Sequence, residues 1–483
     1  MTTYIPFDPH EYSLDEVVLY TDRNPGHRVL ISATVAEIEI FEHLERPYLT
    51  GTLTFTDNDR ILEIMDFQGT EFCEIRLSLH QNSRSVVNKK FVVRELKSVI
   101  PSSDFSDVVT LSLIDYDAYY NALVNVNKAY DGTPGDIIEK ILFDSFQTDG
   151  VGGRKRLIRS RAGSTAENTD PDLSSEIPEV AARAQSQARS YELQSIMRYI
   201  VPNLTPFQSI EILKRRATAT NGSPFYCFAT LKDNDLRFFD LYTMIARPSI
   251  NRSDSFVYSS QLTQGGQSTG ADIGRIISAM STIQGENTLK YIQNGDTGSL
   301  YEYTDTTFQI DHFIGYDLQR TIENLLGTEA YPTVDTRTSF NNKPLSEFRA
   351  KRRSRITPTK IYENTLHNLY DEDDAVKHSA KAVANSLRNV LGKSGLKITI
   401  PGLHASPQAN THKTIGNVIT VTSLTDEAGE TTADRKRSGD YLVFATRHRF
   451  TQERYTCDLD LVKLANYRGN TRVGVTVRNT GAI

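Results

Sequence analysis

The residues best suited to chemistry stand together near the C-terminus, in SGDYLVFATRHRFTQERYTCDLDLVKL (Ser438–Leu464). His448 and Cys457 are the types that supply a base and a sulfur nucleophile, and several Asp residues stand within a few positions of them. Period two gives another account of the same residues. Leu442, Phe444, Thr446, His448 and Phe450 share one face of a strand, and Tyr441, Val443, Ala445, Arg447 and Arg449 share the other. After a turn near Thr451–Arg454, Tyr455, Cys457, Leu459 and Leu461 align, with Thr456, Asp458 and Asp460 opposite. The stretch therefore reads as a hairpin with His448 and Cys457 on its apolar sides and Asp458 and Asp460 facing Arg447 or Arg449 across the ladder. No third group is evident to orient a Cys–His pair, so packing and cross-strand charge pairing are the expectation.

Other candidates are weaker. His404 and His412 lie in a loop, PGLHASPQANTHK, without acidic or cysteine residues at zinc-ligand spacing. His367 and His378 flank Asp371–Asp374, which reads as the charged start of a helix and lacks the turn glycine and ligand order of a calcium loop. Asp57 and Asp59 read as turn residues that cap backbone N–H groups, and Asp66 and Glu71 as a turn feeding a strand. Glycine-rich phosphate loops, a nucleophile elbow and His-Glu-x-x-His are absent. No catalytic residue, metal site or cofactor is expected. RAKRRSR (Arg349–Arg355) is strongly basic but lacks interleaved aromatics or a nucleic-acid motif. Arg349, Lys351, Arg352 and Arg353 are expected at a contact with an acidic neighbour.

The elements that would position these residues are mostly strands. The chain has 483 residues, 38% apolar and 24% charged, a folded composition of two to four domains. Residues 1–150 hold 12 Lys and Arg against 25 Asp and Glu, a net of −13, which leaves +7 for the remainder. That asymmetry excludes a uniformly basic nucleic-acid binder and suggests different faces for different partners. Three scattered cysteines, Cys73, Cys227 and Cys457, make no disulfide framework. MTTYIPFDPHEY lacks a signal-peptide pattern, and no run of apolar residues is long enough to insert in a membrane.

Leu49, Gly51, Leu53 and Phe55 alternate with Tyr48, Thr50, Thr52 and Thr54, and Cys73, Ile75, Leu77 and Leu79 alternate with Glu74, Arg76 and Ser78. With Phe91–Ile100 and Val108–Ile114 they predict an antiparallel sheet or barrel. TPGDIIEKILFDSF and TPFQSIEILKRRAT are helices, each with a Thr cap, Pro at the first turn and a capping box through Asp136 or Gln208. A polar helix is expected over 179–190, a weak one in YDLQRTIENLL, and another over about Asp373–Leu391. FYCFATLKDNDLRFFDL predicts a hairpin turning at Lys232–Asp235.

Several phrases, in order along the chain, resemble the central baseplate hub family of T4-like contractile-tailed phages. They are RPYLTGTLTFTDNDRILEIMDFQGTEFCEIRLSL (Arg46–Leu79), AYDGTPGDIIEKIL (Ala129–Leu142), MRYIVPNLTPFQSIEILKRRAT (Met197–Thr218), PFYCFATLKDNDLRFFDL (Pro224–Leu241), LKITIPGL and the C-terminal hairpin. The resemblance implies a mainly β fold with α+β parts. It would have two tail-tube-like antiparallel β-barrels, one over 1–128 and one assembled from 222–245 and 396–465. A helical or mixed connection would fill 129–221 with a long insert at about 150–195, a mixed domain 246–395, and an arm 466–483. It also implies a homotrimeric ring, built into the virion in the host cytoplasm. The ring would join the hexameric tail tube, or a tube-initiator protein, to the trimeric central spike, touch other baseplate proteins, and surround a channel for transient DNA passage. The insert and the region 335–395 are long for that family, and no lysozyme signature or glycine-rich spike repeat is present. Alternatives are another ring-forming tail component, a hexameric tube adaptor or terminator, or a β-rich cell-wall hydrolase, which needs two carboxylates facing a groove.

Overall fold

In the computed structural model the alternation of TGTLTFTD becomes a strand with Gly51, Leu53, Phe55 and Asp57 buried and the threonines between them half-exposed. The structure describes residues 10–23, 28–79, 86–103, 106–146, 155–159, 197–217, 219, 223–246, 256–259, 276–281, 299–304, 310–316, 339–341, 343–344, 384, 387–388, 395–405, 413–427, 430–434, 437–452 and 454–463. The N-terminal strands are β1 (Ser13–Tyr20), β2 (Arg28–Leu30), β3 (Val35–His43), β4 (Thr50–Asp57), β5 (Phe72–Ser78), β6 (Val86–Ser103) and β7 (Ser106–Asp115). The middle strands are β8 (Ala129–Gly132), β9 (Leu157–Arg159), β10 (Met197–Ile200), β11 (Phe225–Ala229), β12 (Leu236–Asp240), β13 (Phe256–Ser259), β14 (Ser278–Ser281), β15 (Ser299–Thr304), β16 (Ile310–Tyr316), β17 (Ser339–Phe340) and β18 (Lys343–Pro344). The C-terminal strands are β19 (Gly395–Pro401), β20 (Val418–Glu427), β21 (Glu430–Ala433), β22 (Gly439–Thr451) and β23 (Tyr455–Lys463). The helices are α1 (Ile61–Met65), α2 (Tyr116–Leu123), α3 (Pro134–Ser145), α4 (Pro206–Arg216) and α5 (Leu241–Ala246).

The expected pair of barrels is not what the strands build. Both sections lie in one open 14-stranded sheet, ordered β14-β19-β23-β22-β3-β4-β7-β6-β5-β1-β2, with β20, β13 and β21 branching from β22. Its end strands, β14 and β2, do not pair with each other. The cause is the antiparallel seam between β3 and β22, from Ala445↔His43 to Thr451↔Glu37. Each section satisfies an edge strand on the other instead of curling back on itself. β11 and β12 form the expected hairpin, but pair with β9 in a separate three-stranded sheet.

The two sections repeat one topology. The N-terminal unit runs β3-β4-β7-β6-β5-β1 and the C-terminal unit β14-β19-β23-β22-β20-β13. In both, a long next-to-last strand (β6, β22) makes a hairpin with the last (β7, β23), and its inner half pairs on the other side with β5 or β20. The inner pairing ends at Phe72↔Val92 in one unit and Val418↔Leu442 in the other. A bulge follows at once in each, Val93/Glu95 and Val443/Ala445. Val93 N donates to Glu71 O at 2.8 Å, and Val443 N to Asn417 O at 2.9 Å. The outermost pairing differs, being antiparallel for β1–β5 and parallel for β13–β20.

The helices cap as their sequences direct. Thr133 accepts from Asp136 N while Asp136 accepts from Thr133 N, and Thr205 and Gln208 do the same for α4. Phe146 and Phe207 stack at 5.5 Å, locking the region after α3 to the start of α4. Buried Lys89 reaches from β6 into the β11–β12 turn, donating to Thr230 O at 3.1 Å and Asn234 Oδ1 at 3.2 Å. Asp57 takes the N–H groups of Ile61 and Leu62 at 2.7 and 3.0 Å, and Glu71 those of Gln68, Gly69 and Thr70. Asp57 and Glu71 are thus capping groups, while Asp66 instead accepts from the Gln68 side-chain amide at 2.9 Å.

Candidate functional site

The seam gathers the residues that looked chemical. His448 comes from β22, Cys457 and Tyr455 from β23, and Glu42 from β3. Cys457 Sγ lies 3.3 Å from His448 Nδ1, and His448 Nε2 lies 3.5 Å from Glu42 Oε2, an ion-pair contact longer than a good hydrogen bond. The Tyr455 hydroxyl sits 2.8 Å from His448 Nδ1 and 3.3 Å from Cys457 Sγ. Thiol, imidazole and carboxylate thus stand in the order of a nucleophile, a base and its orienting group. The sequence showed no third group because Glu42 lies some four hundred residues upstream and enters through the β3–β22 pairing.

Burial decides what this arrangement does. His448, Cys457 and Tyr455 have no accessible surface and Glu42 has 1%. The sulfur's further neighbour is the carbonyl of Gly402, at 4.0 Å. No substrate reaches the thiol, so the cluster is a polar core. Glu42 also accepts the Leu231 backbone N–H, which carries the network to the β11–β12 turn. Burial opposes charge on His448, but Cys457 and Glu42 beside it outweigh that and raise its pKa to about 10. Burial likewise opposes charge on Glu42, and His448 outweighs it, holding the carboxyl below its usual range. Burial, reinforced by Cys457, keeps the Tyr455 phenol protonated.

The opposite face of the same strands is a charged row. Thr52 on β4 donates to Glu39 Oε2 at 3.0 Å; Glu39 pairs with Arg447; Arg447 lies 3.5 Å from Asp458. Asp458 accepts from Thr399 at 2.7 Å, and Ser278 donates to Thr399 at 2.8 Å. The row crosses β4, β3, β22, β23, β19 and β14 without a break. Beside it Arg449 pairs with Glu37, and Lys397 lies 3.2 Å from Asp460. Four carboxylates therefore meet three cations, each with a partner on the next strand. A groove of about 540 Å³ runs along this face past His43, Tyr48, Met280 and Lys397.

Among the described residues no group of three or more His, Cys, Asp or Glu is placed to hold a metal ion. No helix among them is long and apolar enough to cross a membrane. His404 ends a 3-10 turn (Gly402–His404) and meets the Phe256 ring edge-on at 5.7 Å. His367, His378, His412, the Asp371–Asp374 run and the basic residues Arg349, Lys351, Arg352 and Arg353 lie outside the described residues. So do the helices expected at 179–190 and in YDLQRTIENLL, and most of the one at 373–391.

No protein-family model matches the chain, and a search of curated proteins finds no match. Solved structures give loose likenesses. A tail protein from Neisseria meningitidis MC58 is 11% identical, with 94% of this chain and 97% of that one covered and a TM-score of 0.46. The 43 kDa tail protein of prophage MuSo2 from Shewanella oneidensis is 10% identical, with 93% and 98% covered and a TM-score of 0.47. Prophage tail protein gp18 from Listeria monocytogenes EGD-e is 10% identical, with 92% and 94% covered and a TM-score of 0.40. At these identities and scores the likenesses do not establish a role.

Proposed function

We propose that this chain is a structural subunit of a phage tail. In this reading it is the baseplate hub, three copies of which form a ring between the hexameric tail tube and the trimeric central spike. The observation that carries the reading is the repetition of one strand order within one chain. Three copies present six near-equivalent units on one side while keeping threefold symmetry on the other, which is what a joint between a sixfold and a threefold assembly requires. The ordered phrases that resemble the hub family point the same way. The charged row supports a channel role. Its cations are already paired with carboxylates, so the face offers DNA no free basic track to adhere to. Residues 1–128 would hold the first unit, and 129–221 the connection to the rest. Arg349, Lys351, Arg352 and Arg353 would serve contacts to neighbouring baseplate proteins. The assembly would reside in the virion after forming in the host cytoplasm.

The test is the mass in solution, by light scattering, of the protein alone and mixed with its candidate spike partner. A threefold mass in either condition is expected. A sixfold ring would replace the hub with a tube adaptor, and a monomer in both conditions would overturn the ring.

A further inference from the structure

The internal repeat leaves one half of a joint unmade. The outer half of β22, Ala445–Thr451, is covered by β3. Its counterpart is the outer half of β6, from Glu95 to Ser103, and among the described residues no strand lies along that edge. The counterpart of β3 is β14, which among the described residues pairs only with β19 and ends the sheet. Both bare edges carry apolar side chains in water. On β6, Leu96 is 44% exposed, Val99 39% and Ile100 59%; at β14, Ile277 is 48% and Met280 64% exposed. The equivalence explains these exposures. Aligning the two hairpins on their first bulge and on their partner strands matches Leu96 with Thr446, Val99 with His448 and Ile100 with Arg449. Thr446 and His448 are buried because β3 and Glu42 cover them. Leu96 and Val99 have the core-facing parity of a strand whose cover is missing.

We infer that copies of this chain join head to tail, β14 of one copy adding antiparallel to the outer half of β6 of the next and reproducing the β3–β22 seam between chains. The inference rests on the ring reading above and names its interface. The register follows from the seam already made. Met280 matches Glu39 through the β19 and β4 pairings, and Glu39 pairs with Arg449. Met280 of one copy therefore falls opposite Ile100 of the next, Ala279 opposite Pro101, and Ser281 opposite Val99. The two most exposed apolar side chains on the bare edges meet each other, and backbone groups left open on both edges are satisfied.

Directly opposed residues on an antiparallel pair have Cα atoms about 4.5–5.5 Å apart, within disulfide reach. The test is the full-length Ile100→Cys/Met280→Cys variant under mild oxidation, read on a non-reducing gel. The three native cysteines are buried and contribute no background. The double variant is expected to cross-link into a ladder ending at the ring, while each single variant stays uncross-linked because like sites never meet. A second variant, Val99→Asp, is expected to reduce the ring to monomer mass with an unchanged circular dichroism spectrum. A multimer by light scattering that neither cross-links nor responds to Val99→Asp overturns the strand pairing and leaves the ring standing. A monomer that does not cross-link overturns both.

Discussion

Glu42→Gln is expected to lower the free energy of unfolding by about 3–5 kcal/mol, the usual result of removing one partner from a buried ion pair. The amide can still accept the Leu231 N–H, so the loss isolates the charge. His448 would be left fully buried without its counter-ion, in a site where burial already works against the imidazolium. Urea unfolding followed by circular dichroism near pH 6 measures the effect. A change below about 1 kcal/mol would mean that the pair is not ionised.

The same pair sets a pH profile. His448 has its pKa raised from 6.5 to about 10 on folding, so its contribution is complete below pH 6.5 and is lost as pH rises through about 10. The sign follows from proton counting. Between those values the folded chain holds a proton that the unfolded chain has released, so stability falls with rising pH, by up to about 1.4 kcal/mol per pH unit. Glu42 has its pKa lowered from 4.5, so its contribution is complete above that value and is lost as pH falls through the lower folded one. The pair therefore stabilises most between about pH 4.5 and 6.5. In the wild-type protein the urea midpoint is expected to decline from pH 6.5 to 10, and in Glu42→Gln that decline should become shallower, the remainder coming from Cys457. A flat wild-type profile would contradict the charged pair.

Gly402→Ala is the second large effect, expected to cost about 3 kcal/mol, the upper range for overpacking a filled core. A Cβ at residue 402 would stand 2.2–2.5 Å from three carbons of the Tyr455 ring. The ring has nowhere to go. It is fully buried, stacks on Phe450 with centroids 4.3 Å apart, and is held by its hydroxyl to His448. A shift of the ring to admit the methyl group would break the His448 contact as well. A drop in melting temperature far beyond that of Tyr455→Phe, which removes only the hydroxyl, is the expected comparison. Equal drops would mean that the 3-10 turn moves instead of the ring.

The local features of this chain were legible from its residues. Period two placed His448 and Cys457 inward and set Asp458 against Arg447, and the Thr-Pro starts of both long helices carry the capping boxes they suggest. What was not legible depends on pairing between strands far apart in the chain. Nothing near His448 announces Glu42, because the carboxylate arrives on a strand paired across more than four hundred residues. The expectation of two closed barrels failed for the same reason. Strand periodicity says which face is buried but not which strand lies alongside, and the β3–β22 seam turned two sections into one open sheet. The repeat itself left little trace in residue types, since it is kept in bulge positions and strand order.

The buried carboxylate at the seam also bears on how near-identical edges are sorted. An assembly built from a repeated unit offers each free edge two similar partners, one in its own chain and one in the next. If β3 added to the outer half of β6 instead of β22, Glu42 would face the positions of Leu96 and Val99 and lose its imidazolium. A buried, uncompensated carboxylate there would cost several kcal/mol. The apolar edge of β14 set against Arg449 would in turn strand a guanidinium from Glu37. One polar key and one greasy one, each fitting a single lock, give the chain a wiring order that its shared backbone geometry alone does not encode.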